Sequence, residues 1–258
     1  MNTHPLALVT GASSGMGLKY AEQLASKGYD LLMVSNQEQE LHNEANRIKT
    51  LYHVNTIAHF HDLAQKDAAE TLFDFCQQQN LQVEVLINNA GMFFFKELQP
   101  NDMPRIDAMM NLHNTTVTKM CLLFGNEMRS RSHGYILIMS SMAAKLPTPG
   151  ITIYAATKAF LKSFGKSFYF EMHPYGVGVT TVCPAAIATP LYRLKENLMN
   201  LGVRIGIIKT PDWLVKRALR GLFRKKPTVK PGLMNIYLPP LIALLPRCFE
   251  SWIWRKIK

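Results

Sequence analysis

The chain has 258 residues, of which 48% are hydrophobic and 18% charged, and its formal net charge is +11. This composition carries no signature of disorder, and the length fits one large α/β domain better than two small ones. The four cysteines are scattered, without a C-x-x-C pair or a histidine spacing suited to a metal, which argues against a disulfide framework and predicts no metal site. The positive charge is compatible with phosphorylated ligands, nucleic acid or an anionic membrane.

The N-terminal stretch MNTHPLALVTGASSG enters an apolar run and a glycine-rich turn without the basic and apolar regions of a signal peptide. Together with the scattered cysteines, this predicts a cytoplasmic protein with reduced thiols. Association with a membrane surface is a second expectation, which rests on the C-terminal end of the chain.

Six short apolar runs predict β-strands at residues 6–11, 31–36, 54–60, 83–91, 134–141 and 176–185. The segments between them are long enough for helices and carry apolar residues at helical spacing. The strands are nearly continuous apolar runs, as expected when both faces of a sheet are covered. Strict alternation of strand and helix predicts a single α/β domain over residues 1–232, with a doubly wound parallel sheet and helices on both faces.

A glycine-rich turn follows the first predicted strand. The stretch TGASSGMG places Gly11, Gly15 and Gly17 between this strand and the next helix. Glycines at such a junction permit a tight turn and let the backbone approach a pyrophosphate, which binds at the N-terminus of the helix. A tight turn alone would not require three glycines, so the position predicts a dinucleotide site.

Tyr154 and Lys158 lie four residues apart in ITIYAATKAF, a run of small residues and good helix formers. At this spacing the two side chains share one face of a helix, so the lysine charge acts on the phenol oxygen. In isolation such a pair is most often a surface tyrosine packed on a lysine stem.

Several motifs in order along the chain resemble the short-chain dehydrogenase/reductase family. They are TGASSGMG, HDL at 61–63, NNAG at 88–91, Ser141, and YAATK at 154–158. The resemblance covers residues 5 to about 190, with a weaker similarity at 210–232, and is strongest to the ketoacyl and 17β-hydroxysteroid reductase branch. It implies a Rossmann-type fold and a nicotinamide cofactor.

The resemblance implies roles for three residues. Tyr154 would donate a proton in carbonyl reduction or accept one in alcohol oxidation. A free phenol titrates near ~10, and an adjacent ammonium favours the phenolate. Lys158 would also hold the hydroxyls of the nicotinamide ribose, and Ser141 would donate a hydrogen bond to the substrate oxygen. The pair is therefore interpreted as catalytic and not as a surface contact.

Cofactor contacts carried over from the family fall on loops at the ends of the strands. Asp62 would accept from the adenine amino group beside Leu63, although an acid at this place is also a common helix N-cap. Asn89 and Gly91 would lie along the adenine ribose, although NNAG also reads as a turn that ends a strand. The other expected contacts are Gly11, Ser13, Ser14, Gly15, Met16, Gly17, Ser35, Asn36, Ala90, Tyr154, Lys158, Pro184, Ile187 and Thr189.

The family usually has an asparagine on the helix before the catalytic serine, where it extends a proton relay from the lysine to water. Spacing places His113 at that position, with Asn111 and Asn114 as neighbours. Either His113 replaces the relay residue or it is a buried, hydrogen-bonded core histidine. A second departure is Ala185, which stands where the family has glycine after proline.

Cofactor choice depends on the residues after the second strand. An acid there would bind the ribose 2′-hydroxyl of NAD, and an arginine would bind the 2′-phosphate of NADP. Ser35 and Asn36 occupy these positions, and Ser14 lies in the glycine loop, so neither charge is present. Because no carboxylate repels a phosphate, the sequence favours NADP(H), with NAD(H) as the alternative.

The last third of the chain departs from the alternating rhythm. Residues 190–211 are rich in Leu, Met and Ile and predict a lid over an apolar substrate, with ordinary helix packing as the alternative. The 233–258 tail contains an apolar run too short and too rich in proline to span a bilayer. Its two tryptophans and terminal cations predict either a membrane-surface contact or docking on a subunit, while no nucleic-acid-binding fold is recognisable.

Two classes of function remain. The first is an oxidoreductase that transfers a hydride between the nicotinamide and a carbonyl or secondary alcohol of a lipid-, ketoacyl- or steroid-like substrate. The second is a non-catalytic dinucleotide-binding regulatory or membrane-peripheral protein on the same fold. Ser141, Tyr154 and Lys158 favour the first, because a binding fold does not need them. The family is commonly dimeric or tetrameric, so a homo-oligomer is expected.

Overall fold

A seven-stranded parallel β-sheet forms the centre of the computed structural model, which describes residues 4–146, 148–185, 187, 208–232, 235 and 237. The strand order is β3-β2-β1-β4-β5-β6-β7. The strands are β1 (Leu6–Thr10), β2 (Asp30–Ser35), β3 (Thr56–Phe60), β4 (Val83–Asn88), β5 (Gly134–Met139), β6 (Val177–Val182) and β7 (Thr228–Val229). The six predicted strands and the doubly wound parallel sheet are confirmed.

Seven α-helices lie within the described residues. They are α1 (Gly15–Ala25), α2 (Glu38–Tyr52), α3 (Ala68–Gln78), α4 (Met103–Met110), α5 (Thr116–Ser130), α6 (Thr152–Met172) and α7 (Pro211–Phe223). A π-helical turn, Asn111–Thr115, joins α4 to α5. Short 3₁₀ turns occur at Pro100–Asp102, Met142–Lys145 and His173–Tyr175.

The two faces of the sheet bury separate apolar clusters. In β1, Ala7 and Val9 point to a cluster that also contains residues of α1, α2 and α7, whereas Leu6 and Leu8 point to one formed with α3, α5 and α6. This alternation explains why the strands are apolar throughout, since each successive side chain meets a helix layer.

Helix α6, which carries the Tyr154–Lys158 pair, lies very close to the sheet. A Cβ atom at Gly165 would come within 2.1 Å of Thr181 Oγ1 on β6, so only glycine permits this approach. Helix α7 begins after Thr210, whose hydroxyl accepts a hydrogen bond from the backbone N–H of Trp213, and it is followed by the short edge strand β7.

Parts of the C-terminal expectations lie outside the described residues. This holds for 190–207 of the expected lid, for Thr189, and for the tail except Asn235 and Tyr237. Lys209 forms a parallel β-bridge with Ile187. Within the described ranges, no helix combines the length and the apolar character needed to cross a membrane.

Candidate active site

The glycine-rich turn closes tightly on itself after β1. Gly11 and Gly15 have φ values of +66° and +56°, in the region that glycine adopts without strain. A Cβ atom at Gly17 would lie 1.9 Å from the carbonyl oxygen of Gly11, so a larger residue would force the loop open. The three glycines are therefore required by backbone geometry.

The N-terminus of α1 faces the cavity that follows this turn. Ser14 precedes the helix and makes no side-chain capping hydrogen bond, so the first backbone N–H groups are not capped from within. Apart from its chain neighbours and the backbone of its own helix, no heavy atom of the described residues lies within 4 Å of a Cβ placed at Gly15, which leaves room for a ligand to approach the backbone. Uncapped N–H groups at the positive end of a helix dipole fit a diphosphate.

Thr10 joins the glycine turn to the loop after β4. Its hydroxyl donates to Ile87 O at 3.1 Å and accepts from the N–H groups of Asn89 and Ala90 at 2.9 and 3.0 Å. The Asn89 side chain donates to the Thr10 carbonyl at 3.0 Å, while its Oδ1 atom is buried without a hydrogen-bond partner among the described residues. An unpaired acceptor in this loop fits a ribose hydroxyl.

A hydroxyl and amide network lies at the end of β2, where cofactor choice was expected. Ser13 donates to Gln37 Oε1 at 2.9 Å, and the Ser13 and Ser35 oxygens are 2.8 Å apart. The N–H of Gln37 also donates to Ser35 Oγ at 3.2 Å. Asn36 and Gln37 are exposed beside it, and no carboxylate from the end of β2 lines the cavity.

Asp62 stabilises a turn in front of the cavity. Its Oδ1 accepts from the N–H of Ala64 at 3.1 Å and its Oδ2 from the side chain of Gln65 at 2.9 Å. Helix α3 begins only at Ala68, after Asp67, so Asp62 is not its N-cap. The adenine contact of Asp62 stays a prediction, since the carboxylate lines the cavity but already accepts hydrogen bonds.

These loops enclose one cavity of about 630 Å³ at the carboxyl ends of the strands. Ser141, Tyr154, Lys158, His113 and the expected cofactor residues line it, with two exceptions: Gly17 supports the turn from behind, and Thr189 lies outside the described residues. Lining residues that the sequence did not reveal are Gln37, His61, Ala64, Met92, Phe93, Ala108, Leu112, Met139 and Ser140. Among the described residues, no group of three His, Cys, Asp or Glu side chains is arranged to hold a metal ion.

Lys158 fastens α6 to the end of β5 through both its side chain and its backbone. Its Nζ donates to the Met139 carbonyl at 2.9 Å, and its own carbonyl accepts from Ser140 Oγ at 2.7 Å. The side chain lies 5.7 Å from the centroid of the Tyr154 ring. Burial lowers the pKa of Lys158 from 10.5 to about 8, with a smaller opposing influence of Cys183. The ammonium is thus close to its titration at physiological pH.

Ser141 is held at the start of the 3₁₀ turn that follows β5. Its Oγ accepts from the N–H of Ala143 at 3.1 Å, and its backbone is extended. A hydroxyl that accepts in this way keeps its own hydrogen for a further bond. Ser141 and Tyr154 line the same cavity, and Ser141 is available there as a hydrogen-bond donor.

His113 is fully buried and hydrogen-bonded through both ring nitrogens. The N–H of Met92 donates to Nε2 at 3.0 Å, and Nδ1 lies 2.9 Å from Thr157 Oγ1, which itself donates to the Tyr154 carbonyl at 2.8 Å. The ring is therefore neutral with its proton on Nδ1. Burial holds the pKa of His113 well below its ordinary value, and the Lys158 charge adds to this. Of the two interpretations, this geometry favours a core histidine over a proton relay.

Aromatic and aliphatic side chains surround the phenol of Tyr154. Phe93 meets the ring edge-on at a centroid distance of 5.0 Å. Phe94 and Met109 form a buried cluster with Tyr154, against which Ile151 and Ile153 also pack. The Tyr154 ring is therefore packed against apolar side chains, of which Phe93 also lines the cavity.

A cradle for a dinucleotide beside a Ser–Tyr–Lys group, at the carboxyl edge of a doubly wound sheet, defines a nicotinamide-dependent oxidoreductase. A family model described as short chain dehydrogenase matches residues 5–198. The chain belongs to the short-chain dehydrogenase family and is an NAD(P)-dependent enzyme of that class.

Curated relatives of the chain are very-long-chain 3-oxoacyl-CoA reductases. The human protein is 31% identical over 257 residues, covering 97% of this chain and 77% of the human one. The protein of Anas platyrhynchos is 33% identical over 254 residues, covering 96% and 74%.

Solved structures of the family superimpose closely. The short-chain dehydrogenase from Sphingobium yanoikuyae in complex with NADPH has a TM-score of 0.79 and 27% identity, covering 94% of this chain and 96% of that one. A 7β-hydroxysteroid dehydrogenase has a TM-score of 0.83 and 26% identity, covering 91% and 90%.

Replacing Lys158 by methionine changes how stability depends on pH. Between about pH 8 and 10.5 the unfolded wild type keeps a proton that the folded protein has lost, so its stability rises with pH. We expect the wild type to gain ~2–3 kcal/mol of unfolding free energy relative to Lys158→Met between pH 7 and 10. Urea unfolding at pH 7 and pH 10 measures this difference in unfolding free energy. The control is Lys166→Met, which removes an exposed lysine on the same helix. A gap that stays constant would show that the ammonium is not destabilised by burial.

Replacing His113 by glutamine tests its two interpretations. An amide cannot match both ring hydrogen bonds, so we expect a loss of ~1–3 kcal/mol in unfolding free energy. Because the ring is already neutral, the pH profile of kcat between pH 5 and 8 should keep its shape. Chemical denaturation measures the stability, and initial rates measure the pH profile. If one limb of the pH profile disappeared in the variant, the result would support the proton relay through His113.

Proposed function

We propose that the enzyme reduces 3-oxoacyl thioesters with long apolar acyl chains, using NADP(H). The observation that carries this proposal is the meeting of Ser141, Tyr154 and Lys158 in one cavity that Phe93 also lines, beside the Tyr154 ring. The names of the curated relatives support the acyl substrate.

Each of the three polar residues has a separate task in the reduction. When bound, the reduced nicotinamide supplies the hydride that the carbonyl carbon accepts. Tyr154 donates its phenolic proton to the carbonyl oxygen, and Ser141 donates a hydrogen bond to the same oxygen as negative charge develops there. The Lys158 ammonium, which lines the same cavity, stabilises the phenolate left behind and would hold a hydroxyl of the nicotinamide ribose when the cofactor is bound.

The acyl chain fits the apolar side of the cavity. Met92, Phe93 and Leu112 line the cavity and offer surface that an alkyl chain covers and that a sugar would leave without hydrogen bonds. The expected lid would add Leu, Met and Ile side chains to this surface, and this part of the proposal rests on the sequence alone.

The preference for NADP(H) is supported by the polar groups after β2. The amide side chains of Asn36 and Gln37 are neutral donors beside the expected 2′-phosphate, and the bonded hydroxyls of Ser13 and Ser35 hold Gln37 in place. The related Sphingobium enzyme was solved with NADPH. NAD(H) remains the alternative, because no arginine or lysine from this region lines the cavity.

We also propose a homodimer or homotetramer with contacts through α5 and α6. Leu122 on α5 and Phe160 and Phe170 on α6 are exposed by 53%, 43% and 62%. Large apolar side chains on neighbouring helices are typical of subunit interfaces. Sedimentation equilibrium measures the subunit count.

A peripheral membrane contact of a cytoplasmic enzyme is proposed for the tail at 233–258. Its support is the sequence, in which Trp252 and Trp254 precede Arg255, Lys256 and Lys258. The fraction of protein that sediments with anionic vesicles is measured with and without the tail. A lower fraction without the tail supports the membrane contact, and an equal fraction supports docking on a subunit.

Replacing Tyr154 by phenylalanine should remove nearly all turnover while NADPH binding is preserved. The variant lacks only the proton donor, and general acid catalysis typically contributes about 10²–10⁴ in rate. Stopped-flow reduction of a 3-oxoacyl thioester and fluorescence titration of NADPH measure the two properties. Tyr169→Phe on the same helix is the matched control. Turnover retained by Tyr154→Phe would contradict the assignment of Tyr154 as the proton donor.

Replacing Asn36 by aspartate should shift the enzyme from NADPH towards NADH. A carboxylate here repels a 2′-phosphate and binds a 2′-hydroxyl. The kcat/KM for NADPH divided by the kcat/KM for NADH should therefore fall by about tenfold or more. Initial rates with both cofactors measure the ratio. Asn46→Asp, an exposed change of equal charge on α2, serves as control. An unchanged ratio would place the 2′-phosphate elsewhere.

A further inference from the structure

A second cleft lies at the outer edge of the sheet and is lined by cations. This basic cleft has a volume of about 370 Å³. Its charged residues are Arg217, Arg220, Arg224, Lys226 and Lys230. No acidic residue lines it among the described residues.

The cations are gathered on one side by the helical repeat of α7. Arg217, Arg220 and Arg224 are spaced by three and four residues and are exposed, whereas Leu214, Ala218 and Leu222 are buried against the sheet. Two arginines at a spacing of four repel each other in an isolated helix. In the described structure none of the cleft cations forms a salt bridge, and Arg217 lies over the Trp213 ring at 4.5 Å, so no carboxylate offsets the positive charge of the cleft.

The basic cleft adjoins the active-site cavity. Lys230 and Pro231 line the cleft, and a Cβ at the next residue, Gly232, would lie 3.9 Å from the Cβ of Ala185. Pro184, just before Ala185, lines the catalytic cavity. The two sites are therefore separated by one short segment.

Positive charge continues from the cleft towards the catalytic serine. Lys145, at the end of the 3₁₀ turn that starts after Ser141, has a pKa lowered by burial and by the charges of Lys230 and Lys162. A negatively charged ligand that enters the catalytic cavity from this side thus meets cations along its path.

We propose that the basic cleft binds the phosphate groups of the coenzyme A portion of the substrate. This rests on the proposed function, because it places the thioester carbonyl at Tyr154 and the diphosphate and 3′-phosphate on the α7 arginines. Guanidinium groups bind phosphates through paired hydrogen bonds, which suits three arginines on one face. The cleft thereby selects coenzyme A thioesters over uncharged ones.

The test compares one 3-oxoacyl group on coenzyme A and on N-acetylcysteamine, which lacks phosphates. For the double variant Arg220→Gln/Arg224→Gln, we expect KM for the coenzyme A thioester to rise by about tenfold or more, while kcat stays within about twofold of the wild type. Neither constant should change for the N-acetylcysteamine thioester. Free coenzyme A, at saturating NADPH, should inhibit the wild type more strongly than this variant. The matched control, Lys27→Gln/Lys49→Gln, removes two exposed charges elsewhere. Arg220→Lys/Arg224→Lys keeps the charge and controls for folding.

The outcomes separate the cleft from the proposed function. An equal change for both thioesters, or none for either, overturns the cleft assignment. If the wild type reduces neither thioester, the proposed function fails, and calorimetric titration of coenzyme A with NADPH present then decides the cleft alone. If the variant loses only its binding to phosphatidylserine vesicles, the cleft binds lipid headgroups and the coenzyme A assignment is wrong.

Discussion

The buried ammonium of Lys158 is the constraint on which the active site depends. Lys158 makes two hydrogen bonds to the end of β5. Its Nζ donates to the Met139 carbonyl, and its own carbonyl accepts from Ser140 Oγ. These two bonds position helix α6 relative to Ser141, which directly follows these two residues. Burial of this side chain lowers the pKa of the lysine, and the same placement leaves its Nζ atom 5.7 Å from the centroid of the Tyr154 ring. Positioning and electrostatics are thus supplied by the same side chain.

A second set of hydrogen bonds fixes the other wall of the cavity. His113 connects the backbone of Met92 to Thr157 on the catalytic helix, and Thr10 connects the glycine turn to Asn89 and Ala90. Loops that would otherwise be independent are held to the sheet by side chains that are themselves buried. Such rigidity favours catalysis, because donors placed in advance need little reorganisation during the reaction.

Most of the fold could be predicted from the sequence, because apolar runs and helical spacing are local signals. The fourth strand was expected over 83–91 but ends at Asn88. The backbone N–H of Asn89 donates instead to the hydroxyl of Thr10, which is 79 positions away in the chain. Strand β7 is too short for a periodic signal. Candidate catalytic residues could be named from the sequence because their spacing resembles that of the family, whereas Met92 and Thr157, the partners of His113, lie 21 and 44 positions from it.

The titration of Lys158 in the intact enzyme tests the central claim most directly. With ¹⁵N-labelled lysine, NMR spectra assigned through Lys158→Met follow the ammonium as pH rises. We expect its midpoint at about 8, well below the ordinary lysine value of 10.5. A midpoint near the ordinary value of 10.5 would show that the side chain is solvated and would contradict its role as the buried charge beside Tyr154.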